Sequence, residues 1–322
     1  MAQPPEKAHY RMVARKILAG AVVPFLGAGV NLYGRPHAVS WQRGRYLPSG
    51  AELATYLAGE NDYPFDDPTD LLRVSQYVDV MVGHGPLYEE LRSVFDADYA
   101  PTPVHRLLAS LPSLIRAHKS DKTGFFPLYV TTNYDDLLER AFKDAGEKYD
   151  LVTYIADGDE RGKFRHATPD GVAHIIAQPN SYTELRFDER PAIAKIHGTV
   201  VRQLQDNDSY VITENNYIDY LSRTEIAQLI PINIAMRMKK SHLLFLGYSL
   251  KDWNLRVILH RLWGDEGTVY NSWAVQPNPG RIEERSWIRR GVELLDARLE
   301  QYICELGQAL ETSVQNRNGE MP

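Results

Sequence analysis

Short apolar runs recur along the chain, each ending in small or polar residues: Val22–Leu26, Pro127–Thr132, Leu151–Ile155, Ile193–His197, Leu243–Gly247, Ser272–Val275 and Val292–Leu295. Runs of this length bounded by turn-forming residues predict buried strands. Between several of them the apolar positions follow a helical period, over Glu6–Ala19, Tyr134–Ala145, Thr213–Ser222, Glu225–Lys239, Ser249–Trp263 and Ala297–Glu311. Strands alternating with helices predict an α/β fold: a Rossmann-like parallel sheet covered by helices on both faces. Pro24 lies inside the Val22–Leu26 strand and cannot donate a ladder hydrogen bond, which argues against a central position unless the proline sits at the strand's start.

Helical periodicity prevails and strand signals are scarce from about residue 47 to 120, where helices are predicted near Asp70–Val80, Pro86–Phe95 and Pro103–Leu111. Ser49, with Glu52 three residues on, reads as a capping box opening the first helix of this stretch. The expected organisation is a single domain over 1–311, with 1–46 and 121–311 as the core and 47–120 as an inserted helical module. The polar end, 312–322, is expected to be disordered. The loop Tyr33–Tyr46 carries Gly34, Arg35, Pro36, Trp41, Arg43, Gly44 and Arg45 and reads as a lid over a bound ligand.

The 322 residues carry a net charge of −6, which gives no general grip on nucleic acid. The N-terminus is polar, and no apolar stretch approaches the roughly 18 residues of a membrane span. Cys304 is the single cysteine, which excludes an intramolecular disulfide and a cysteine-only zinc site. A cytoplasmic protein is expected.

Candidate chemistry gathers at strand ends, where α/β folds place their ligands. Gly27-Ala28-Gly29-Val30-Asn31 follows the first strand, as a phosphate-binding turn would, although a plain turn explains it too. The third glycine of a dehydrogenase fingerprint would fall on Leu32, which disfavours that family. Thr131-Thr132-Asn133-Tyr134-Asp135 ends the second strand; Asn133 and Asp135 are either helix caps or ligand contacts. His197 ends another strand with Gly198 behind it, and an imidazole with a reference pKa near 6.5 suits proton abstraction near neutrality. Ser249 and Asp252 have the spacing of a cap opening the helix after Leu243–Gly247.

Gly27-Ala28-Gly29-Val30-Asn31, Thr131-Thr132-Asn133-Tyr134-Asp135, Lys195-Ile196-His197-Gly198 and Phe245-Leu246-Gly247-Tyr248-Ser249-Leu250 occur in the order of the sirtuin motifs. From about Val22 to Leu299 the chain resembles the bacterial sirtuin-like domains of antiphage defence systems, which hydrolyse NAD. The resemblance implies NAD as the substrate, no metal, and cleavage to nicotinamide and ADP-ribose. It assigns Asn133 and His197 to catalysis, Asn133 orienting the attacking water and His197 taking its proton. It assigns NAD binding to Gly27, Ala28, Gly29, Asn31, Thr132, Asp135, Gly247, Ser249, Asp296 and Ala297. Asn31 stands where the family commonly has serine, and its amide is expected to donate to the pyrophosphate. The zinc ribbon of protein-deacylating sirtuins needs two CxxC pairs, which this chain lacks. Implied partners are further copies of the chain and a HerA-like, ring-shaped DNA translocase or another defence-system subunit. An NAD-dependent protein deacylase and a non-catalytic NAD or ADP-ribose sensor are the competing functions.

Overall fold

The computed structural model describes residues 2–36, 39–118, 126–202, 207–222, 230–248, 253–264 and 267–319. A nine-stranded sheet runs through it in the order β11-β10-β9-β1-β2-β6-β3-β4-β5. Seven of these strands are the predicted ones and are mutually parallel: β1 (Val22–Leu26), β2 (Leu128–Thr131), β3 (Asp150–Tyr154), β6 (Ala192–Lys195), β9 (His242–Leu246), β10 (Ser272–Val275) and β11 (Val292–Leu295). β4 (Phe164–Ala167) and β5 (Ala173–Ile176) extend one edge antiparallel, and a two-stranded ribbon, β7 (Gly198–Thr199) with β8 (Ser209–Tyr210), follows β6.

Side chains alternate across the central strands, as the pleat requires. Val23, Phe25, Val130, Ala194, Leu243 and Phe245 point to one core. Val22, Leu26, Tyr129, Ile193, Leu244 and Leu246 point to the other. Helices α1 (Lys7–Leu18), α5 (Pro103–His118), α6 (Leu137–Asp144) and α11 (Leu299–Gly319) cover the second face. The first is covered by α8 (Ile232–Lys239), α9 (Trp253–Trp263) and α10 (Arg281–Ile288), with Tyr220 of α7 (Glu214–Ser222). Pro24 is accommodated in a central strand because the β1–β2 ladder starts one residue later, at Phe25 opposite Val130.

A third core joins α2 (Gly50–Glu60), α3 (Leu71–Met81) and α4 (His84–Phe95). Ser49 and Glu52 close the expected capping box on α2, and Asp70 caps α3 by accepting from the Leu72 and Arg73 amides. The fourth helix of the 47–120 stretch, α5, packs instead on α1, α6 and α11, so the stretch is divided between a three-helix module and the sheet's own layer. At the chain end α11 continues through Ser313 to Gly319, so the described part of the segment expected to be disordered is helical. Among the described residues no helix is long and apolar enough to cross a membrane.

Candidate active site

β1, β2, β6 and β9 are sheet neighbours, so the turns leaving their C-terminal ends meet at one place. Gly27 is extended, and 28–32 form a single 3₁₀ turn. The Gly27 amide donates to Leu246 O at 3.1 Å and the Gly29 amide to Gly247 O at 2.8 Å. A Cβ on Gly29 would lie 2.6 Å from Gly247 O and 2.8 Å from its Cα. Gly247 adopts φ +62, and a Cβ there would strike the Val30 amide. Close backbone approach, with one left-handed residue, is therefore why these positions are glycine.

The end of β2 folds onto the same turn. Thr131 Oγ1 donates to Leu26 O at 3.2 Å and accepts from the Asn133 amide at 3.0 Å, while Asn133 Nδ2 donates to Gly27 O at 3.3 Å. Helix α6 starts only at Leu137, whose amide is capped by Asp135 Oδ1 at 3.1 Å. The predicted start at Tyr134 is three residues early, and Asn133 caps nothing. Asp135 does cap, and its second oxygen accepts from Asn31 Nδ2 at 2.8 Å. Beneath this loop Lys195, fully buried on β6, donates to the Asp135 carbonyl and to Glu139 Oε1, the latter at 2.8 Å. Burial pushes the Glu139 carboxyl up from its ordinary pKa and Lys195 opposes that shift.

His197 follows β6 and is 3 % exposed. Tyr217 and Tyr220 of α7 meet its ring edge-on, and Tyr217 Oη lies 3.5 Å from Nδ1. Gly198 adopts φ +90, and a Cβ there would overlap Ser209 of the facing strand. That turn lets the chain double back while His197 O accepts from the Val211 amide at 2.9 Å.

A cavity of about 400 Å³ opens over these turns. Gly27, Ala28, Gly29, Asn31, Thr132, Asn133, Asp135, His197 and Gly247 all line it. The opposite wall is Pro48, Ser49, Gly50, Leu53, Leu71 and Phe95 from the helical module, with Tyr134, Tyr217 and Tyr248 at the sides. A second cavity of about 360 Å³ adjoins it across Gly29, Gly247 and Tyr248, and is also lined by Val275, Gln276, Pro277, Arg298, Leu299 and Glu300.

Asp296 and Ala297 line neither cavity. Asp296 Oδ1 accepts from the Asn278 amide at 2.8 Å and so holds the loop beside Pro277, and Ala297 is buried in the core. Their neighbours Arg298 to Glu300 form the wall instead. Ser249 lies outside the described residues, as does its partner in the expected cap, Asp252. The loop expected as a lid is anchored beside the module: Arg35 pairs with Glu52, Trp41 Nε1 donates to Tyr46 O at 2.7 Å, and Arg43 reaches Tyr56 Oη at 3.0 Å. Its described residues do not line the first cavity. The Arg35 hydrogen bonds draw the Glu52 carboxyl down to about 2. The aromatic and aliphatic wall, Phe95, Tyr217, Leu53 and Leu71, had no signal in the sequence because its residues stand among many of the same kind. Tyr134 and Tyr248 lie inside motifs and were accessible from them.

Residues 127–295 match the family model described as a SIR2-like domain, just over half of the 322 residues. The NAD(+) hydrolase ThsA of Acinetobacter baumannii (strain 532279) is 28% identical over 236 residues, covering 73% of this chain and 38% of that protein. The NAD(+) hydrolase ThsA of Cytobacillus dafuensis is 25% identical over 247 residues, 74% of this chain and 38% of that protein. Defense-associated sirtuin 2 of Bacillus subtilis is 22% identical over 286 residues, 86% of this chain and 23% of that protein. The chain thus spans under two-fifths of the length of each of these relatives. With its strand-end turns in the order and positions described above and the family model matched from β2 to β11, the chain belongs to the SIR2-like domain family.

Proposed function

We propose that the chain hydrolyses NAD+ to nicotinamide and ADP-ribose. One observation carries the reading: two adjoining cavities share the Gly29–Gly247–Tyr248 saddle, and Asn133 and His197 both line the cavity on one side of it. A dinucleotide laid across the saddle places its pyrophosphate over the glycine turn, its nicotinamide ribose beside Asn133 and His197, and its adenosine toward Gln276 and Leu299. The relatives named NAD(+) hydrolase support this assignment of substrate.

The nicotinamide C–N bond breaks with its electron pair going to the ring nitrogen, so nicotinamide leaves neutral and needs no acid. The ribose carbon becomes oxocarbenium-like, and a water oxygen bonds to it. Asn133 positions that water, and His197 accepts its proton and releases it to solvent. Apolar walls from Leu53, Leu71 and Phe95 exclude other water from the cleft. Asp135 and Asn31 hold the two turns in register, and Asp296 fixes the loop at the adenosine end.

The setting that fits this activity is cytoplasmic NAD depletion during antiphage defence, with the chain acting as a homo-oligomer or beside another subunit such as a HerA-like translocase. The name of the Bacillus subtilis relative supports the defence setting. Incubation with NAD+ and chromatography for nicotinamide test the chemistry, with and without neighbouring gene products. Stoichiometric nicotinamide and ADP-ribose are expected; bound but intact NAD would mark a sensor, and turnover only with an acetylated peptide would mark a deacylase.

A further inference from the structure

At the sheet edge formed by β4 and β5, His166 and His174 stand directly opposite each other, with ring centroids 5.2 Å apart. Directly opposed residues of an antiparallel pair share a face. Glu184 reaches the pair from the segment after β5, its Oε2 3.2 Å from His174 Nε2. The Tyr182 hydroxyl lies 2.5 Å from His166 Nδ1, 2.8 Å from His174 Nε2 and 3.3 Å from Glu184 Oε2. Three ligand-capable atoms from three segments therefore converge on one point, all within 4.8 Å of one another. A tetrahedral ion with bonds of about 2.0–2.2 Å needs roughly 3.4 Å between ligand atoms, a contraction within reach of the partly exposed His174 and the exposed Glu184 side chains.

What stands behind His166 argues for more than a chance cluster. Its Nε2 lies 3.0 Å from Asp150 Oδ1, both side chains being 1 % exposed. The other Asp150 oxygen accepts from Arg190 Nε at 2.9 Å. The Asp150 carboxylate thus stands beside the far nitrogen without a formed hydrogen bond to it, while Nδ1 faces the Tyr182 hydroxyl at the convergence point. A carboxylate beside the outer nitrogen is the usual surrounding of a metal-ligating histidine, and a small ring rotation on metal binding would complete that bond. A surface cleft of about 610 Å³ borders His174 and Glu184 and supplies both entry and a water ligand.

We infer that His166 Nδ1, His174 Nε2 and Glu184 bind a divalent transition-metal ion of the zinc class, with a water from the cleft as fourth ligand and the Tyr182 phenol displaced from the convergence point. Two neutral imidazoles and one carboxylate suit zinc, cobalt or nickel better than calcium or magnesium. The site lies apart from the active cleft, and hydrolysis there needs no metal. Its effect is to clamp β4, β5 and the 182–184 segment together.

The test uses the full chain, dialysed against a chelator and titrated with cobalt chloride, then zinc chloride. One Co2+ per chain is expected, with the visible bands of a low-coordinate N/O site that Zn2+ abolishes. Zinc at about 100 times its Kd should raise Tm by about 5 °C. His174→Ala and Glu184→Gln each remove a ligand from a solvent-accessible side chain and should weaken binding by about tenfold or more. His84→Ala, at an exposed histidine elsewhere on the surface, should leave it unchanged. Failure to bind either ion stoichiometrically, or equal affinity in His174→Ala, Glu184→Gln and the parent, overturns the assignment and leaves a hydrogen-bonded cluster around Tyr182.

Discussion

Asn31 Nδ2 donates to Asp135 Oδ2 at 2.8 Å, tying together two turns that lie 104 residues apart in the chain. A carboxylate only accepts, so the amide orientation follows from chemistry. Asn31 Oδ1 is left buried with no partner among the described residues. The amide expected to meet the pyrophosphate thus has one of its two N–H groups committed to Asp135, and its second N–H and its acceptor oxygen remain for a ligand.

Asp135→Asn sets one amide donor against another at this contact and weakens the cap on Leu137. We expect a loss of about 1–3 kcal/mol in stability, the usual cost of stranding a buried polar group. In a double-mutant cycle, Asn31→Ala and Asp135→Ala should couple by about 0.5–3 kcal/mol. Chemical denaturation of the four proteins measures it, and strict additivity would show that the contact contributes nothing.

Asn133 is half-buried and caps no helix, so Asn133→Ala should change stability by no more than about 1 kcal/mol, yet stop nicotinamide release. An active Asn133→Ala enzyme would remove the residue from the mechanism. His197→Ala should lower turnover about 100- to 10,000-fold, with NAD affinity by calorimetry nearly unchanged. Because His197 packs between two tyrosines, the assay belongs well below the variant's melting temperature.

Gly247→Ala places a methyl on a left-handed residue against the backbone of Val30. Strain and overlap together should cost more than about 2 kcal/mol and displace the Gly27–Asn31 turn, so stability and NAD affinity fall together. Gly34→Ala is the control. It also has positive φ, +78, but nothing lies within 4 Å of its Cβ position. It should lose only the milder conformational cost and keep NAD affinity, as melting and calorimetry on the two variants would show.

Acid should loosen the same turn. His105 is buried, and desolvation holds its pKa down to about 4 from 6.5. Its Nδ1 accepts from the Thr102 amide at 3.1 Å, and Thr102 Oγ1 lies within 3.1 Å of Val30 O. The unfolded chain takes up the proton near pH 6.5 and the folded chain only near 4, so this group's contribution is complete above pH 6.5. It falls between pH 6.5 and 4 by at most about 1.4 kcal/mol per unit. His105→Asn, whose oxygen can replace Nδ1 as acceptor, should flatten the Tm–pH curve across that window. An unchanged slope would assign the acid sensitivity to other groups.

Legibility in the sequence followed the range of the forces involved. The seven parallel strands were readable because a strand buried on both faces is a continuous apolar run, as in Leu243–Leu246. β4 and β5 were not, because Phe164-Arg165-His166-Ala167 and Ala173-His174-Ile175-Ile176 are short edge segments with polar positions between apolar ones. Asn133 and His197 lie in motifs and were legible from their neighbours, whereas Tyr217 reaches the cavity only because α7 packs against the His197 ring. The start of α6 was misplaced since Asp135, a good cap, caps from two residues before Leu137 while also serving Asn31. Ser313–Gly319 read as a tail because Val314 alone among its residues packs on the core, the helix otherwise continuing from the packed turns Ile303 to Leu310.

The core of the three-helix module contains residues from outside it: Tyr134 and Leu137 beside the Asn133 turn, and Val200, Tyr210 and Ile212 just after His197. Helices α2–α4 therefore share one packed core with the segments beside Asn133 and after His197, and we expect them to open as one unit. Amide hydrogens of Leu53, Val78 and Leu91 should exchange at the same rate as those of Val200 and Tyr210 under conditions that favour sub-global opening. A partner gripping the outer surface of α3 or α4 is then expected to change how long the Asn133 and His197 segments stay assembled, without reaching the cleft.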